Sequence, residues 1–229
     1  MSTHPTMRGL YRALAQVVLD PGVWWPAEDH FEILVGAILT QNTAWTSVEK
    51  ALDNLRKAHL LAPERLLDSD PAYLGELIRP AGYWRTKTGY LQAISGWYLT
   101  YSTNTGAEGP HTDQWDDGKL RASLLAVRGV GEETADDILL YAYHRPVFIY
   151  DTYARRLLSA AGWGNFSTYS SARGTCDDQI QAEGFTVEEY AHLHGLIVQA
   201  GKDARANGGW DIYWPQVLQL AVEADTPVR

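Results

Sequence analysis

The stretch Leu124–Leu158, LLAVRGVGEETADDILLYAYHRPVFIYDTYARRLL, decides the fold. Its pattern predicts an apolar helix, a tight turn at 128–131, a second helix, an extended apolar segment and a third helix that begins at Asp151. Gly129 and Gly131 suit a turn that needs a positive φ or a close backbone approach. The helix after the turn leaves its first amide N–H groups without intrahelical acceptors. Such a helix start binds phosphate oxygens without needing a basic side chain.

Four blocks of sequence, in this order along the chain, resemble the endonuclease III superfamily of DNA base-excision enzymes. They are 39–43 (LTQNT), 81–87 (AGYWRTK), 129–135 followed by Asp151-Thr152, and 194–202 (HGLIVQAGK). The resemblance covers residues 28–205. It implies an all-α, two-domain helix-hairpin-helix DNA glycosylase fold, with the active site in the cleft between the domains. The domains are expected at 1–27 with 143–229, and at 28–142, which contains the hairpin.

Two departures from the superfamily pattern bear on the chemistry. Bifunctional members carry a lysine two residues after the second glycine of the hairpin, where this chain has Glu133. A carboxylate cannot form the Schiff base that permits strand cleavage. Many members also bind an iron–sulfur cluster through four cysteines, whereas this chain has only Cys176, and Arg205 stands about where the first ligand would be. The resemblance therefore implies hydrolytic base removal without a cofactor, and it leaves open a monovalent cation at the hairpin.

Within the superfamily, the chain looks most like the cluster-free bacterial 3-methyladenine DNA glycosylases, which share the Trp24-Trp25-Pro26 segment and a glutamate at position 133. The resemblance implies that Asp151 and Glu133 are catalytic and that Gln41, beside Asn42, fills the gap left by a flipped base. The implied base pocket is Trp24, Trp25, Pro26, Trp45 and Lys202. The implied DNA contacts are Gln41, Asn42, Arg85, Lys87, Arg128, Gly129, Val130 and Gly131.

Most of these residues also have a purely structural interpretation. Asp151, Asn42 and the threonines beside it are residue types that cap helices, and acids such as Glu133 complement the dipole at a helix start. Lys202 suits a helix end for the same reason. Arg85 and Lys87 fit a solvated face, and any single tryptophan fits the core. For Asp151 the two interpretations agree, because a cap fixes the direction of the carboxylate.

The composition limits the function further. The net charge of −9 argues against a general nucleic-acid binder, unless the basic residues gather on one face. No apolar run is long enough to span a membrane, no secretory signal is evident, and one cysteine excludes a multi-cysteine metal site. We expect a cytoplasmic, nucleoid-associated monomer that binds damaged double-stranded DNA, with no protein-bound metal. The alternatives are a glycosylase for uracil, mismatched or oxidised bases, a non-catalytic helix-hairpin-helix DNA-binding protein, and a helical domain that does not bind DNA.

Hydrophobic periodicity and turn residues predict the helices. They are expected at 7–19, 28–39, 46–57, 63–67, 71–78, 90–99, 119–127, 132–142, 152–161, 187–201 and 211–224. The segments 100–117 and 162–177 are expected to be loops, the second of them containing Cys176.

Overall fold

The computed structural model describes residues 4–22, 24–27, 29–102 and 115–224. These residues form helices joined by turns and contain no strand, which confirms the all-α prediction. The chain divides into two compact units, one of Met1–Trp24 with Pro146–Arg229 and one of Trp25–Arg145. The structure thus divides the chain after residues 24 and 145, where the sequence prediction places the divisions after 27 and 142.

The helices in chain order are α1 (Met7–Val17), α2 (His30–Leu39), α3 (Trp45–Lys57), α4 (Pro63–Leu67), α5 (Pro71–Leu77), α6 (Trp84–Ser102), α7 (Asp117–Leu125), α8 (Glu132–Tyr141), α9 (Thr152–Ala160), α10 (Tyr169–Gln181), α11 (Val187–Ala206) and α12 (Trp210–Ala224), with a 3₁₀ turn at Arg79–Ala81. None of the helices in the described part of the chain could span a lipid bilayer.

The unit of residues 25–145 is organised around α2. Phe31–Leu39 is buried throughout, and α2 packs against α3, α6 and α8. Asp29 begins this helix by accepting the Glu32 N–H at 2.8 Å, a cap of the expected type. The buried carboxylate of Glu32 pairs with Arg56 of α3, which supplies the partner that a buried charge requires.

The unit of residues 1–24 and 146–229 is organised around α11, which packs against α1, α9 and α12. A capping box of Thr186 and Glu189 begins this helix. Two glycines allow its neighbours to come close. A Cβ atom at Gly195 would lie 2.7 Å from the Pro21 ring, and one at Gly201 would lie 2.2 Å from the Tyr153 ring.

Three sequence predictions about helix extent were wrong. The segment 162–177 contains most of α10, so Cys176 is a buried helical residue rather than a loop residue. Helix α6 begins at Trp84, six residues before its predicted start at position 90. Helix α11 continues past Lys202 to Ala206. Most of the predicted loop 100–117 lies outside the described residues, but Tyr101 is helical and Asp117 begins α7.

Candidate active site and DNA interface

The hairpin joins α7 to α8 and is held by a buried ion pair. Arg121 of α7 donates from Nε to Oδ1 of Asp136 at 2.7 Å and from Nη2 to Oδ2 at 3.1 Å. Asp136 is fully buried, so the pair is bidentate and shielded from solvent, the geometry that makes such pairs strong. The acids at the start of α8 therefore include one that fixes the angle between the two helices.

The two glycines of the turn have different roles. Gly129 has a φ of +92°, and a Cβ atom there would lie 2.1 Å from Cγ of Tyr90, so the turn packs directly on the Tyr90 ring. Gly131 is the N-cap of α8, has a φ of −93°, and has nothing within 4 Å of the Cβ position. No side-chain cap covers this helix start. The start of α8 therefore keeps the open backbone that an anion site needs.

Val130 is part of the interior of the turn. Its side chain is buried, and its N–H donates to the carbonyl oxygen of Val127 at 3.1 Å. Neither the side chain nor the N–H of Val130 is therefore available for the DNA contact that the sequence predicted. Arg128, by contrast, is exposed.

The loop after α2 is tied to the hairpin through Gln41. Its Nε2 donates to the carbonyl oxygen of Gly129 at 2.8 Å and to Oγ1 of Thr134 at 3.0 Å. Asn42 is exposed and has a φ of +52°. The N-cap of α3 is Ala44, which makes no side-chain cap bond. Neither Gln41 nor Asn42 is therefore the N-cap of α3, and Gln41 instead links the loop to the hairpin.

Lys87 corrects a sequence prediction. It is 2% exposed, and its Nζ donates to the carbonyl oxygens of Leu39 and Ala81, at 2.8 and 2.9 Å, and to Oγ1 of Thr43 at 2.7 Å. Burial lowers the pKa of Lys87 to about 8, which leaves the ammonium group predominant at neutral pH. Its three donors hold the loop after α2 in place, which leaves none of them for a phosphate oxygen.

Replacement of Lys87 by methionine is expected to cost about 2–4 kcal/mol of unfolding free energy, because three buried acceptors lose their donor. Urea denaturation measures this loss, with the exposed Lys57→Met as the charge-matched control. The dependence of DNA affinity on salt is expected to remain at its wild-type slope in the folded fraction. A shallower slope in the Lys87 variant alone would restore this residue to the DNA interface.

Arg85 is exposed, as a phosphate contact requires. Its guanidinium lies 4.2 Å from the ring centroid of Trp84. Stacking of this kind holds a guanidinium in place while its edge N–H groups remain available.

An aromatic cluster of the 25–145 unit surrounds Trp25. Its ring lies 5.5 Å from Trp45 and 5.1 Å from Tyr141, between centroids. A Cβ atom at Gly36 would lie 3.2 Å from Trp25, so α2 offers this indole a flat backbone surface. Pro26 is exposed. Sequence reasoning missed Tyr141, although its place at the end of the helix that follows the hairpin is a signal that could have found it.

Trp24 lies in the other unit, in a second cluster on α11. Its ring meets the imidazole of His194 edge-on, 6.0 Å between centroids, and Nζ of Lys202 lies 5.5 Å from its centroid. Lys202 lies inside α11 rather than at its end, and Arg205 is the basic residue of the last turn. The dipole explanation therefore applies to Arg205, and Lys202 stays a pocket candidate.

Asp151 is the N-cap of α9 and is 8% exposed. Its Oδ1 accepts the N–H of Ala154 at 2.7 Å, and its Oδ2 lies 3.9 Å from Nε2 of His194. Burial lowers the pKa of His194 to about 4, so the imidazole is neutral at pH 7. The sequence predicted the cap and the carboxylate but missed His194, whose signal was its place in the 194–202 block.

Glu133 is the second residue of α8 and is exposed. Its catalytic role stays a prediction. Among the described residues, no group of three or more His, Cys, Asp or Glu side chains is arranged to hold a metal ion.

Acid is expected to destabilise the protein through His194. Its pKa is about 4 when folded and about 6.5 when unfolded, so the unfolded chain binds more protons between these values. The resulting stability is complete above pH 6.5 and is lost as the pH falls towards 4. We expect a loss of about 2 kcal/mol between pH 7 and pH 5, which follows from these two pKa values.

Urea denaturation of the wild type and of His194→Asn at the two pH values checks this expectation, because asparagine does not titrate. The difference between the two pH values should be smaller in the variant. Equal acid sensitivity of both proteins would show that His194 is not buried as a neutral imidazole.

Comparison with known proteins gives a consistent result. The family model "HhH-GPD superfamily base excision DNA repair protein" matches residues 35–180. "Putative DNA repair glycosylase MJ1434" of Methanocaldococcus jannaschii is 41% identical over 177 residues, which are 77% of this chain and 78% of that protein. Endonuclease III of Sulfolobus acidocaldarius is 26% identical over 75% of this chain and 72% of its own length.

Two solved structures share the fold. The H. pylori 3-methyladenine DNA glycosylase MagIII, bound to 1,N6-ethenoadenine, aligns with a TM-score of 0.72 and 27% identity, covering 87% of this chain and 98% of that one. A trapped endonuclease III–DNA covalent intermediate aligns with a TM-score of 0.69 and 18% identity, covering 87% and 86%, which shows the fold alone. The chain belongs to the HhH-GPD superfamily of base excision DNA repair proteins.

Proposed function

We propose that this DNA glycosylase is monofunctional and excises an alkylated base of the 3-methyladenine type by hydrolysis, leaving an abasic site and an intact strand. The observation that carries the proposal is the environment of Asp151: a buried carboxylate, fixed by the Ala154 N–H and placed beside a neutral imidazole. Glu133 occupies the position where bifunctional relatives carry the amine, so the chain lacks that nucleophile there.

In the proposed reaction, the damaged nucleotide first rotates out of the duplex, at a cost of a few kcal/mol that is smallest for a damaged base. The open start of α8 binds the backbone, and Gln41 fills the gap, exchanging its bonds to the hairpin for contacts with DNA. The carbon–nitrogen bond of the nucleotide breaks, and the base leaves with the electron pair. A water oxygen then bonds to the sugar carbon and gives up one proton to the solvent.

Asp151 acts while positive charge develops on the sugar. A preorganised negative charge in a buried site stabilises such a transition state strongly, and the same carboxylate orients the attacking water. Because His194 is neutral, it does not cancel the charge of Asp151. The proposed contribution of Glu133 is electrostatic, as an exposed acidic side chain in the first turn of α8.

The preference for an alkylated base is assigned to the cluster of Trp25, Trp45 and Tyr141. A base methylated at N3 carries positive charge, and electron-rich aromatic faces attract cations. Trp24 suits this role less well, because Lys202 already places an ammonium group 5.5 Å from its ring. The similarity to MagIII, whose structure contains an adenine adduct, supports a purine lesion as the substrate.

The experiment is base release from methylated duplex DNA, with the products separated by chromatography. Free 3-methyladenine, an unbroken strand and no borohydride-trapped adduct are the expected results. If bases were released only from DNA with uracil, mismatched or oxidised bases, the proposed substrate would be wrong but the proposed hydrolytic mechanism would stand. A trapped adduct would establish a bifunctional enzyme, with Lys202 as the first amine to test. Salt-dependent binding without any release would favour a non-catalytic DNA-binding protein.

Further parts of the proposal concern cofactors and assembly. We propose a DNA-associated monomer that works without an iron–sulfur cluster, since the one cysteine, Cys176, is buried in α10. Elemental analysis for iron and light scattering test these two points. Comparison of DNA affinity in potassium and tetramethylammonium salts tests for a monovalent cation at the hairpin.

A further inference from the structure

A groove of about 410 Å³ lies on the unit that carries Asp151. One wall is the face of α9 with Thr152, Arg155 and Arg156, and the other is the following loop with Asn165 and Phe166. None of the residues that line it is acidic, although the chain as a whole has a net charge of −9. This local charge is the opposite of the average charge of the protein.

The two arginines of the groove differ from most of the others that the structure describes. Six arginines are paired with carboxylates, namely Arg8, Arg56, Arg79, Arg121, Arg145 and Arg173. Arg155 instead donates to the carbonyl oxygen of Tyr150 at 3.4 Å and to Oγ1 of Thr152 at 3.2 Å, both neutral acceptors. Arg156 is exposed and has no hydrogen bond or ion pair to any described residue. Both guanidinium charges therefore remain available to an anion.

The remaining polar groups of the groove are suited to an acceptor-only ligand. Ser159 donates its hydroxyl to Oδ1 of Asn165, which leaves the amide nitrogen of Asn165 as a donor. Gly164, at a φ of +137°, folds the loop so that Phe166 packs against it, because a Cβ atom there would lie 3.0 Å from the ring. Phosphodiester oxygens accept hydrogen bonds and never donate them, and arginine matches their geometry.

The groove begins next to the catalytic candidate. Thr152 follows Asp151 directly, and Arg156 is four residues further along α9, roughly 6 Å along the helix axis at 1.5 Å per residue. The rise of one DNA strand is about 3.4 Å per nucleotide. An anion in the groove therefore lies within about two nucleotide steps of a sugar placed at Asp151.

We infer that this groove is a second phosphate-binding site, in which Arg155 and Arg156 bind the DNA backbone one or two nucleotides from the flipped base. The inference rests on DNA being the substrate, as in the proposed function. It also explains how an acidic protein acquires affinity for DNA beyond the hairpin, since each neutralised phosphate adds to a salt-dependent binding energy.

The first test measures binding of the full chain to a duplex with a tetrahydrofuran abasic-site analogue, over a series of salt concentrations. Arg155→Gln and Arg156→Gln should each make the log–log slope shallower by about 0.9, the value for one phosphate contact. Arg12→Gln is the charge-matched control, because Arg12 is exposed on α1 of the same unit and does not line the groove. Thermal melting verifies that each variant is folded.

The second test locates the phosphate. Neutral methylphosphonates replace single phosphates on either side of the lesion analogue, and wild type is compared with Arg156→Gln. At one position within two nucleotides of the lesion, the methylphosphonate should weaken DNA binding by the wild type. The same methylphosphonate should cause no further loss of affinity in Arg156→Gln. Slopes equal to that of the Arg12 control, or strictly additive losses at every position, would overturn the groove as a phosphate site.

Base release by the wild type is measured on methylated DNA in the same preparation, which separates the two proposals. Shallower slopes without release would keep the groove and reject the proposed lesion. Release with unchanged slopes would keep the proposed function and reject the groove.

Discussion

Replacement of Asp151 by asparagine is expected to lower base release by about 10²- to 10⁴-fold, the range that a positioned acid or base contributes. Asparagine keeps the size of the side chain and still accepts the Ala154 N–H as an N-cap. The change therefore removes a negative charge and little else. Single-turnover release of 3-methyladenine from methylated duplex DNA, at saturating enzyme, measures the loss.

The matched control is Asp70→Asn. Asp70 caps α5 in the same way as Asp151 caps α9, by accepting the Tyr73 N–H at 2.8 Å, and it is exposed. Because asparagine still caps both helices, we expect both variants to melt close to the wild-type temperature. Only the Asp151 variant should lose the release of 3-methyladenine. A rate within threefold of wild type for Asp151→Asn would remove this carboxylate from the mechanism.

The hairpin and Asp151 could be predicted from the sequence because their determinants are local. Gly129, Gly131 and the residue that begins α9 specify a turn and two helix starts, and the structure forms these within one or two residues of the predicted bounds. The burial of α2 was equally local, since its apolar residues leave no polar face. Local signals of this kind do not depend on which other parts of the chain are nearby.

Contacts between distant segments could not be predicted in this way. Lys87 resembles a phosphate ligand in sequence, yet it is buried, because acceptors from residues 39–43 and from Ala81 converge on its ammonium group. His194 reaches Asp151 across 43 residues of chain (194 − 151). Nothing in the spacing of either residue specifies such a partner.

Helix α10 was missed for a different reason. Its sequence YSSARGTCDDQIQ is rich in residues with low helix propensity, so the segment resembles a loop. Tertiary packing overrides that preference: Tyr169, Ala172, Cys176 and Ile180 are buried along one face, and a capping box of Thr168 and Ser171 begins the helix. The helical spacing of these four buried residues was present in the sequence, but the polar residues between them obscured it.

The second large effect is expected at Gly129. Its φ of +92° disfavours any residue with a Cβ atom, and an added methyl group would overlap the Tyr90 ring at 2.1 Å. Backbone strain and overpacking each cost about 1–3 kcal/mol, so Gly129→Ala should lose about 2–6 kcal/mol of unfolding free energy together with most of its DNA affinity. Urea denaturation and duplex binding measure the two losses.

Gly131→Ala distinguishes the structural role of the turn from its contact with DNA. Position 131 has an ordinary φ of −93° and open space at the Cβ position, so the fold should change by less than about 1 kcal/mol. If the start of α8 receives a phosphate, the methyl group occupies the approach, and duplex affinity should fall at least about tenfold, or 1.4 kcal/mol.

Adding Tyr90→Ala to Gly129→Ala should recover part of the stability, because the overlap disappears and only the backbone strain remains. Wild-type affinity in a folded Gly131→Ala protein would show that DNA does not approach this backbone, and equal instability of both glycine variants would show that the turn differs from the geometry described above.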